Sequence, residues 1–210
     1  ATYPNDQYLA HYHNANFKDE ELKSIIQKSE GNYAEIIKFI NNHPKKFESV
    51  LLPEFIKGLA DKDLRDCPAD ILDAQLTVYN TKDYPKDVYI KGILPARISN
   101  ELIRAWRQPL REALNSVFNN TKPTADAVHD YIANQIKVDE ECNYFNCPIS
   151  PMGVQTCKIA DSHSRDIFFV AACRSLDIPA YMDNATGELF AYENGKWQRI
   201  SFKETQAPNG

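Results

Sequence analysis

Residues 160–180 read ADSHSRDIFFVAACRSLDIPA and contain the most apolar segment of the chain. Asp161 and Ser162 are of the residue types that cap helix N-termini, and the apolar run Ile167–Cys173 begins about one turn later. Pro179 marks the end of the segment, because proline cannot continue a helix. A helix that is apolar on nearly all sides belongs in the middle of a core. The stretch therefore predicts a buried helix around which the C-terminal part of the chain folds.

Three short segments after this helix alternate apolar and polar residues: Ala180–Met182, Leu189–Tyr192 and Trp197–Phe202. Asn194-Gly195, between the last two segments, is a typical two-residue hairpin turn. Together they predict a small antiparallel sheet. The expected fold class is α+β, with a helical N-terminal half followed by a buried helix packed on this sheet.

Helical periodicity dominates the first 80 residues, where apolar positions recur three and four residues apart. We expect helices over residues 19–26, 32–43, 47–59 and 68–78. One short strand is expected to follow, formed by Val88–Ile90 with Ile93 and Leu94 before Pro95. Two further helices are predicted, from Asn100 to Leu114 and from Thr124 to Ile136. The polar, proline-containing stretch 139–161 is expected to be a long loop, and loops of that length are often functional.

The composition excludes several classes of protein. With 43% hydrophobic and 25% charged residues, the chain of 210 residues has an ordinary globular composition. Its 24 basic and 29 acidic residues give a net charge of −5. A protein with this charge lacks the excess of basic residues that binds the phosphate backbone of a nucleic acid. No apolar run approaches the roughly 18 to 20 residues that a membrane helix needs. We therefore expect neither a nucleic-acid partner nor a transmembrane segment.

Five cysteines are too few for a disulfide scaffold, and their odd number leaves at least one unpaired within the chain. Cys142 and Cys147 lie in the polar stretch ECNYFNCP, where they either close a small disulfide loop or remain two free thiols. The histidines, at positions 11, 13, 43, 129 and 163, form no zinc-ligand pattern with the cysteines. The sequence therefore predicts no metal and no cofactor.

Several motifs in the second half resemble the core of the transglutaminase-like superfamily. This family typically has a Gly-x-Cys at the start of a buried helix, then an Arg-x-x-Gly-Ile-Pro-Ala motif and a hairpin reading His-Ala-Trp, Gly-x-Trp and Asp. The matching segments are Thr124–Ile136, Ser150–Val154, Ala160–Ser162, Val170–Ala180 and Asn194–Trp197, with the strongest likeness at Arg174–Ala180. The resemblance covers residues 120–203. It implies a papain-like α+β fold with a Cys-His-Asp triad, in which a thiolate attacks an amide.

When the triad positions of the family are matched to this chain residue by residue, none of them carries the expected Cys, His or Asp. The nucleophile falls on Ser162, twelve residues before Arg174, and the histidine falls near Thr186. The aspartate, four residues after Trp197, falls on Ser201. No histidine follows His163, so a triad in the family's order cannot be written on this chain. We therefore assign no catalytic residue.

Two rescues of catalysis stay open. Cys157 lies five residues before the expected nucleophile, and His129 or His163 would then serve as its base. Ser162 stands beside His163, although neighbouring residues on a helix point about 100° apart. Structural interpretations compete with both: Asp161 or Ser162 as a helix cap, Arg165 and Asp166 as ion-pair partners, Cys173 as a buried core thiol, and Trp106 and Trp197 as packing aromatics.

The predicted function is a catalytically degenerate, transglutaminase-like domain that serves as a binding or scaffold module for a peptide, glycan or protein partner. Asp161, Ser162, His163 and Trp197 are its expected cleft residues. The alternative is an active amide hydrolase or acyl transferase that uses Cys157 or Ser162. The intact scaffold motif favours this alternative, although packing alone would also preserve that motif.

The expected division of the chain is a helical N-terminal region at residues 1–115 and a transglutaminase-like core at residues 116–210. The last residues, Ala207-Pro208-Asn209-Gly210, read as a linker, so we expect the core to continue into further domains of a longer protein. Proteins of the transglutaminase-like superfamily are often exported in bacteria. The resemblance therefore implies an extracytoplasmic location, periplasmic or at the cell surface of a bacterium.

Overall fold

The computed structural model describes residues 20–43, 51–77 and 82–202. Its chain separates into two compact units, each with its own hydrophobic core. The first unit extends to Arg97 and includes Ile103–Ala105, and the second contains Ile98–Leu102 and the chain from Trp106 onward. Some predictions lie outside the described residues: His11, His13, the start of the helix expected at 47, and the linker-like C-terminus.

Short helices build the first unit. They are α1 (Glu20–Gln27), α2 (Tyr33–Asn41), α3 (Leu52–Lys57), α4 (Asp61–Asp66), α5 (Ala69–Gln75) and α6 (Lys86–Gly92), with a 3-10 turn at Glu30–Asn32. Their core is apolar, and polar side chains connect the segments by hydrogen bonds. The Asn32 side-chain amide donates to the carbonyl oxygens of Leu64 and Cys67, each at 2.9 Å. Buried Asp63 accepts two hydrogen bonds from the Arg97 guanidinium.

The strand predicted at Val88–Ile90 is wrong, because these residues lie in helix α6. Pro85 precedes the helix, and its carbonyl accepts the first helical bond, from Tyr89 N at 3.0 Å. Val88, Tyr89 and Gly92 are the buried residues, a spacing that places them on one face of a helix. A short apolar run does not distinguish strand from helix, and proline before the first turn favours the helix here.

The second unit combines helices with two small sheets. Its helices are α7 (Arg107–Val117), α8 (Ala125–Gln135), α9 (Pro151–Cys157) and α10 (Ser162–Ser175). Strands β1 (Lys137–Val138) and β2 (Ile159–Ala160) pair in parallel. Strands β3 (Ala180–Met182), β4 (Leu189–Glu193) and β5 (Lys196–Ile200) form an antiparallel sheet in that order. The α+β class predicted from the sequence is confirmed.

Helix α10 is the centre of the second unit, as its apolar sequence predicts. Every residue of Ile167–Cys173 is completely buried. The helix packs against α7, α8, α9 and β3. Because α7 belongs to this packing, the chain divides before α7 and not inside it, whereas the sequence-based division at residues 115 and 116 falls near its C-terminal end.

The stretch 139–161 is more ordered than the loop predicted there. It contains a 3-10 turn at Glu140–Cys142, helix α9 and strand β2. Ser150 caps α9 by accepting a hydrogen bond from Gly153 N at 3.1 Å, and Pro151 occupies the first helical position. The sequence does not predict this helix because only two of its seven residues, Pro151 and Val154, are buried. It therefore lacks the repeated apolar positions by which a helix is recognised.

Two predicted helix starts have different outcomes. Thr124 caps α8, accepting a hydrogen bond from Ala127 N at 3.1 Å, as predicted. Asn100 begins no helix, since α7 starts only at Arg107. The Glu101 carboxylate accepts hydrogen bonds from Ile98 N at 2.7 Å and Ser99 N at 2.8 Å, which folds this segment into a compact turn.

The β4–β5 hairpin turns at Asn194-Gly195, as the sequence predicts. Both residues have positive φ angles, of 52° and 78°, which a two-residue hairpin turn requires. The register pairs Tyr192 with Trp197 and Leu189 with Ile200. None of the helices in the described ranges is both long enough and apolar enough to cross a membrane.

Candidate functional site

Asp161 caps the N-terminus of α10, so of the two residues predicted as its cap, Asp161 and Ser162, the first is the one that serves. Its Oδ1 accepts a hydrogen bond from Ser164 N at 3.0 Å, and its Oδ2 accepts from Ser164 Oγ at 2.6 Å and Asn143 Nδ2 at 2.9 Å. Burial acts to raise the pKa of Asp161, but the hydrogen bonds from Ser164 and Asn143 outweigh it and hold the pKa below its ordinary value. The carboxylate is therefore occupied by structural bonds, and it is not free for a ligand.

Ser162 and His163 do not form a nucleophile and base. The Ser162 amide donates to Glu140 Oε1 at 3.1 Å, and its hydroxyl has no hydrogen-bond partner in the described ranges. The His163 ring faces elsewhere, with Nε2 at 2.9 Å from Asn100 Oδ1 and 3.4 Å from Ser99 Oγ. Adjacent positions on a helix point in different directions, which accounts for the separation.

Cys157 is exposed at the C-terminal end of α9. No hydrogen bond in the described chain joins it to an imidazole. His129 contacts Asp130 Oδ1 through Nδ1 at 3.1 Å and stacks on the Phe202 ring at 4.4 Å between centroids. All five cysteines are free thiols, including Cys142 and Cys147. Burial raises the pKa of the fully buried Cys173 thiol, which fits its interpretation as a core residue.

A pocket of about 170 Å³ opens where α10 meets the ends of two strands. It is lined by residues 165–166 of α10, residues 186–189 before and at the start of β4, and residues 199–202 at the end of β5. Thr186 and Ser201 thus line one pocket, although 15 residues separate them in sequence. These are two of the three positions onto which the triad of the family was carried.

Two ion pairs line this pocket, which we call the Arg165/Arg199 pocket. Arg165 donates from Nε and Nη2 to Asp166 Oδ1 at 2.9 and 2.8 Å. Arg199 Nη2 lies 2.8 Å from Glu188 Oε1. In the described part of the chain, Asp166 Oδ2 and Glu188 Oε2 accept no hydrogen bond. Burial raises the pKa of Asp166 above its ordinary value, although Arg165 acts against this shift.

The turn between β3 and β4 presents Thr186 and Glu188 to the pocket. Asp183 Oδ1 accepts hydrogen bonds from Ala185 N at 2.9 Å and Thr186 N at 3.0 Å. Thr186 Oγ1 in turn accepts from Glu188 N at 3.2 Å. Gly187 has a φ of 73°, a conformation that glycine adopts without strain. The turn is therefore fixed by its own hydrogen bonds before any ligand arrives.

Phe202 contributes an aromatic ring to the apolar part of the pocket wall, with Leu189 and Ile200. The Arg165 guanidinium carbon lies 4.4 Å from the centre of its ring, a cation–π contact. The His129 ring and Phe169 also pack against it. With 14% of its side chain exposed, Arg165 is held by Asp166 and Phe202, so its guanidinium has a defined position at the pocket.

None of the four expected cleft residues lines the pocket: Asp161, Ser162, His163 and Trp197 all lie outside its lining. Trp197 packs instead on Tyr181 and Tyr192, with ring centroids 4.9 and 5.2 Å away, as a packing aromatic would. Sequence reasoning missed Glu188, Arg199 and Phe202. The available signal was their proximity in sequence to Thr186 and Ser201.

The pocket offers hydroxyl, carboxylate and guanidinium groups for hydrogen bonding. Neither a thiol nor an imidazole lines it in the described chain, and no group of three metal-ligating side chains occurs in those residues. Comparisons of the chain with protein-family models, curated protein sequences and solved structures found no match. The chemistry of the site is therefore argued from its own residues.

Proposed function

We propose that the second unit is a catalytically degenerate transglutaminase-like domain that acts as a binding or scaffold module for a peptide, glycan or protein partner. The Arg174–Ala180 motif supports this family, as do the buried helix before it and the hairpin after it. One observation carries the function. The Arg165/Arg199 pocket contains Thr186 and Ser201, the residues at the carried-over histidine and aspartate positions, and presents hydroxyls there in place of the family's imidazole and carboxylate.

The local chemistry supports binding over amide cleavage. A covalent mechanism needs a nucleophile and a base within hydrogen-bond reach, and a third group that orients the base. In the described residues, no hydrogen bond joins an imidazole to Ser162 or to Cys157. A serine hydroxyl without a base is a weak nucleophile. The side chains at the pocket can instead bind a ligand by donating and accepting hydrogen bonds, with no covalent step.

The test is the reactivity of Cys157 towards iodoacetamide at neutral pH, with Cys147 as an internal control, since both thiols are exposed. We expect Cys157 to be alkylated about as fast as Cys147, because activation of a thiol requires a neighbouring positive charge or base. Peptide mapping by mass spectrometry measures both rates in the same sample.

Labelling of Cys157 on the order of a hundredfold faster than Cys147 would contradict the proposal. So would hydrolysis of a peptide substrate that disappears in Cys157→Ser or Ser162→Ala. Cys147→Ser is the matched control for the first variant, because it removes another exposed thiol, from a loop of the same unit.

A further inference from the structure

We infer that the Arg165/Arg199 pocket binds a neutral, polyhydroxylated ligand, a saccharide, one ring of which enters the pocket. This inference rests on the proposed function, since it names the ligand class of the same site. It follows from three properties of the pocket: its balance of charge, its free hydrogen-bonding atoms and its size.

The charges at the pocket are balanced. Two guanidinium groups, of Arg165 and Arg199, are paired with two carboxylates, of Asp166 and Glu188. A charged ligand group would lose hydration on entering and would find no uncompensated partner, unless it displaced one member of an existing pair. A neutral ligand leaves both pairs intact.

The free atoms at the pocket match hydroxyl groups. A ligand hydroxyl is both a donor and an acceptor. Asp166 Oδ2 and Glu188 Oε2 accept no hydrogen bond in the described chain and are available to ligand O–H groups. The remaining N–H groups of the Arg199 guanidinium can donate to ligand oxygens, and 64% of that side chain is exposed. The Ser201 hydroxyl can do either.

The planar guanidinium of Arg199 favours neighbouring hydroxyls in particular. Its N–H groups beyond the one that faces Glu188 lie in one fixed plane, which suits a pair of polar atoms on adjacent carbons. A sugar ring carries such pairs around its rim. An extended peptide backbone presents its N–H and C=O groups singly and on alternating sides, so it uses this pocket less completely.

The size of the pocket admits one ring. A cavity of about 150 Å³ is known to hold benzene, a six-membered ring, and this pocket measures about 170 Å³. Because the pocket is open to solvent, substituents of the ring and further sugar units would extend outside. The strand-end position of Ser201 and the prearranged Thr186 turn give this site a fixed rim.

The experiment is a binding screen by NMR on the full chain. The probes are the methyl glycosides of glucose, galactose, mannose, xylose and N-acetylglucosamine, together with their disaccharides. Acidic, basic and neutral hexapeptides form the second set. We expect at least one saccharide to shift the amide resonances of Thr186, Glu188 and Ser201, with an affinity that barely changes between low and high salt, since no net charge is paired on binding.

Two variants locate the site. Glu188→Gln and Arg199→Met each remove a charged hydrogen-bonding group, and each is expected to weaken saccharide binding about tenfold. Arg65→Met is the matched control, because Arg65 is also an exposed arginine paired with a glutamate, Glu30, in the first unit. Circular dichroism establishes that all three variants are folded.

The outcomes separate the two proposals. Binding of a charged hexapeptide at Thr186 and Ser201, in place of any saccharide, overturns the ligand class and leaves the binding function standing. Failure of every saccharide to bind, or equal weakening by Arg65→Met, overturns the saccharide inference. Peptide hydrolysis that depends on Cys157 or Ser162 overturns the proposed function itself.

Discussion

At the scale of single residues, Asp161 has the clearest physical role. Its carboxylate accepts three hydrogen bonds at the start of α10, from Ser164 N, Ser164 Oγ and Asn143 Nδ2. It also lies at the positive end of the helix dipole, which favours a negative charge. The same residue therefore begins the helix and fastens the segment around Asn143 to it.

Replacing this cap with Asp161→Ala is expected to lower the free energy of unfolding by about 1 kcal/mol at neutral pH. Asp161→Asn is the control, since asparagine caps helices nearly as well without the charge. Urea titrations of the three proteins measure the difference. Equal stabilities of Asp161→Ala and wild type would mean that Asp161 does not stabilise α10.

The pH dependence of this cap follows from the low pKa of Asp161 in the folded state. Between that pKa and the ordinary value of 3.8, the unfolded chain binds more protons than the folded chain, so stability rises with pH. The contribution of the charge is therefore complete above the ordinary value and is lost as the pH falls through the folded-state pKa. We expect the gap between wild type and Asp161→Asn to close over that acid range.

At the scale of elements, Arg174 fastens helix α10 to strand β3. Its Nε donates to the carbonyl oxygen of Ala180 at 3.0 Å, and only 3% of the residue is exposed. Burial and the nearby positive charge of Arg107 lower its pKa to about 9, and Glu101 acts in the opposite direction. The arginine that begins the Arg174–Ala180 motif thus has a structural role, and it lies in a buried cluster of charged side chains.

Truncation by Arg174→Ala is expected to cost about 3 to 5 kcal/mol of stability, because it leaves a buried charge cluster incomplete. The matched control is Arg111→Ala, which removes a less buried arginine, in helix α7. Arg111 pairs with Asp177 at 2.6 Å, but 36% of its side chain is exposed, and such pairs contribute about 1 kcal/mol or less. Thermal and urea unfolding measure both. A loss no larger than the control's would show that the Arg174 cluster does not hold α10 and β3 together.

The sequence predicted some elements well and others poorly, for physical reasons. Strong patterns identified α10, which is apolar on nearly all sides, and the β4–β5 hairpin, which has a specific turn. Weak patterns failed: the apolar run in α6 fits strand and helix equally, and α9 buries little. The residues that line the pocket could not be predicted from the sequence. Glu188 and Arg199 come into contact only because of the register in which β4 and β5 pair, and the sequence does not give that register. The carried-over positions Thr186 and Ser201 nevertheless lie at that pocket.

At the scale of the whole molecule, the described residues form two hydrophobic cores, one in each unit, and the pocket lies in the second unit. Phe39 and Phe55 are buried in the core of the first unit, and their rings pack 5.5 Å apart. Phe168 and Phe169 are completely buried in the core of the second. Residues 165–166, 186–189 and 199–202, which line the pocket, all lie in the second unit.

We therefore expect the two cores to have different consequences for binding. Phe55→Ala and Phe168→Ala each delete a buried ring and are expected to cost about 3 to 5 kcal/mol in their own unit. The amide resonances of Thr186, Glu188 and Ser201 should stay in place in Phe55→Ala and move in Phe168→Ala, because α10 positions Arg165 and Asp166. If Phe55→Ala shifted those resonances as strongly as Phe168→Ala, the pocket would depend on both cores, and the second unit alone would not account for binding.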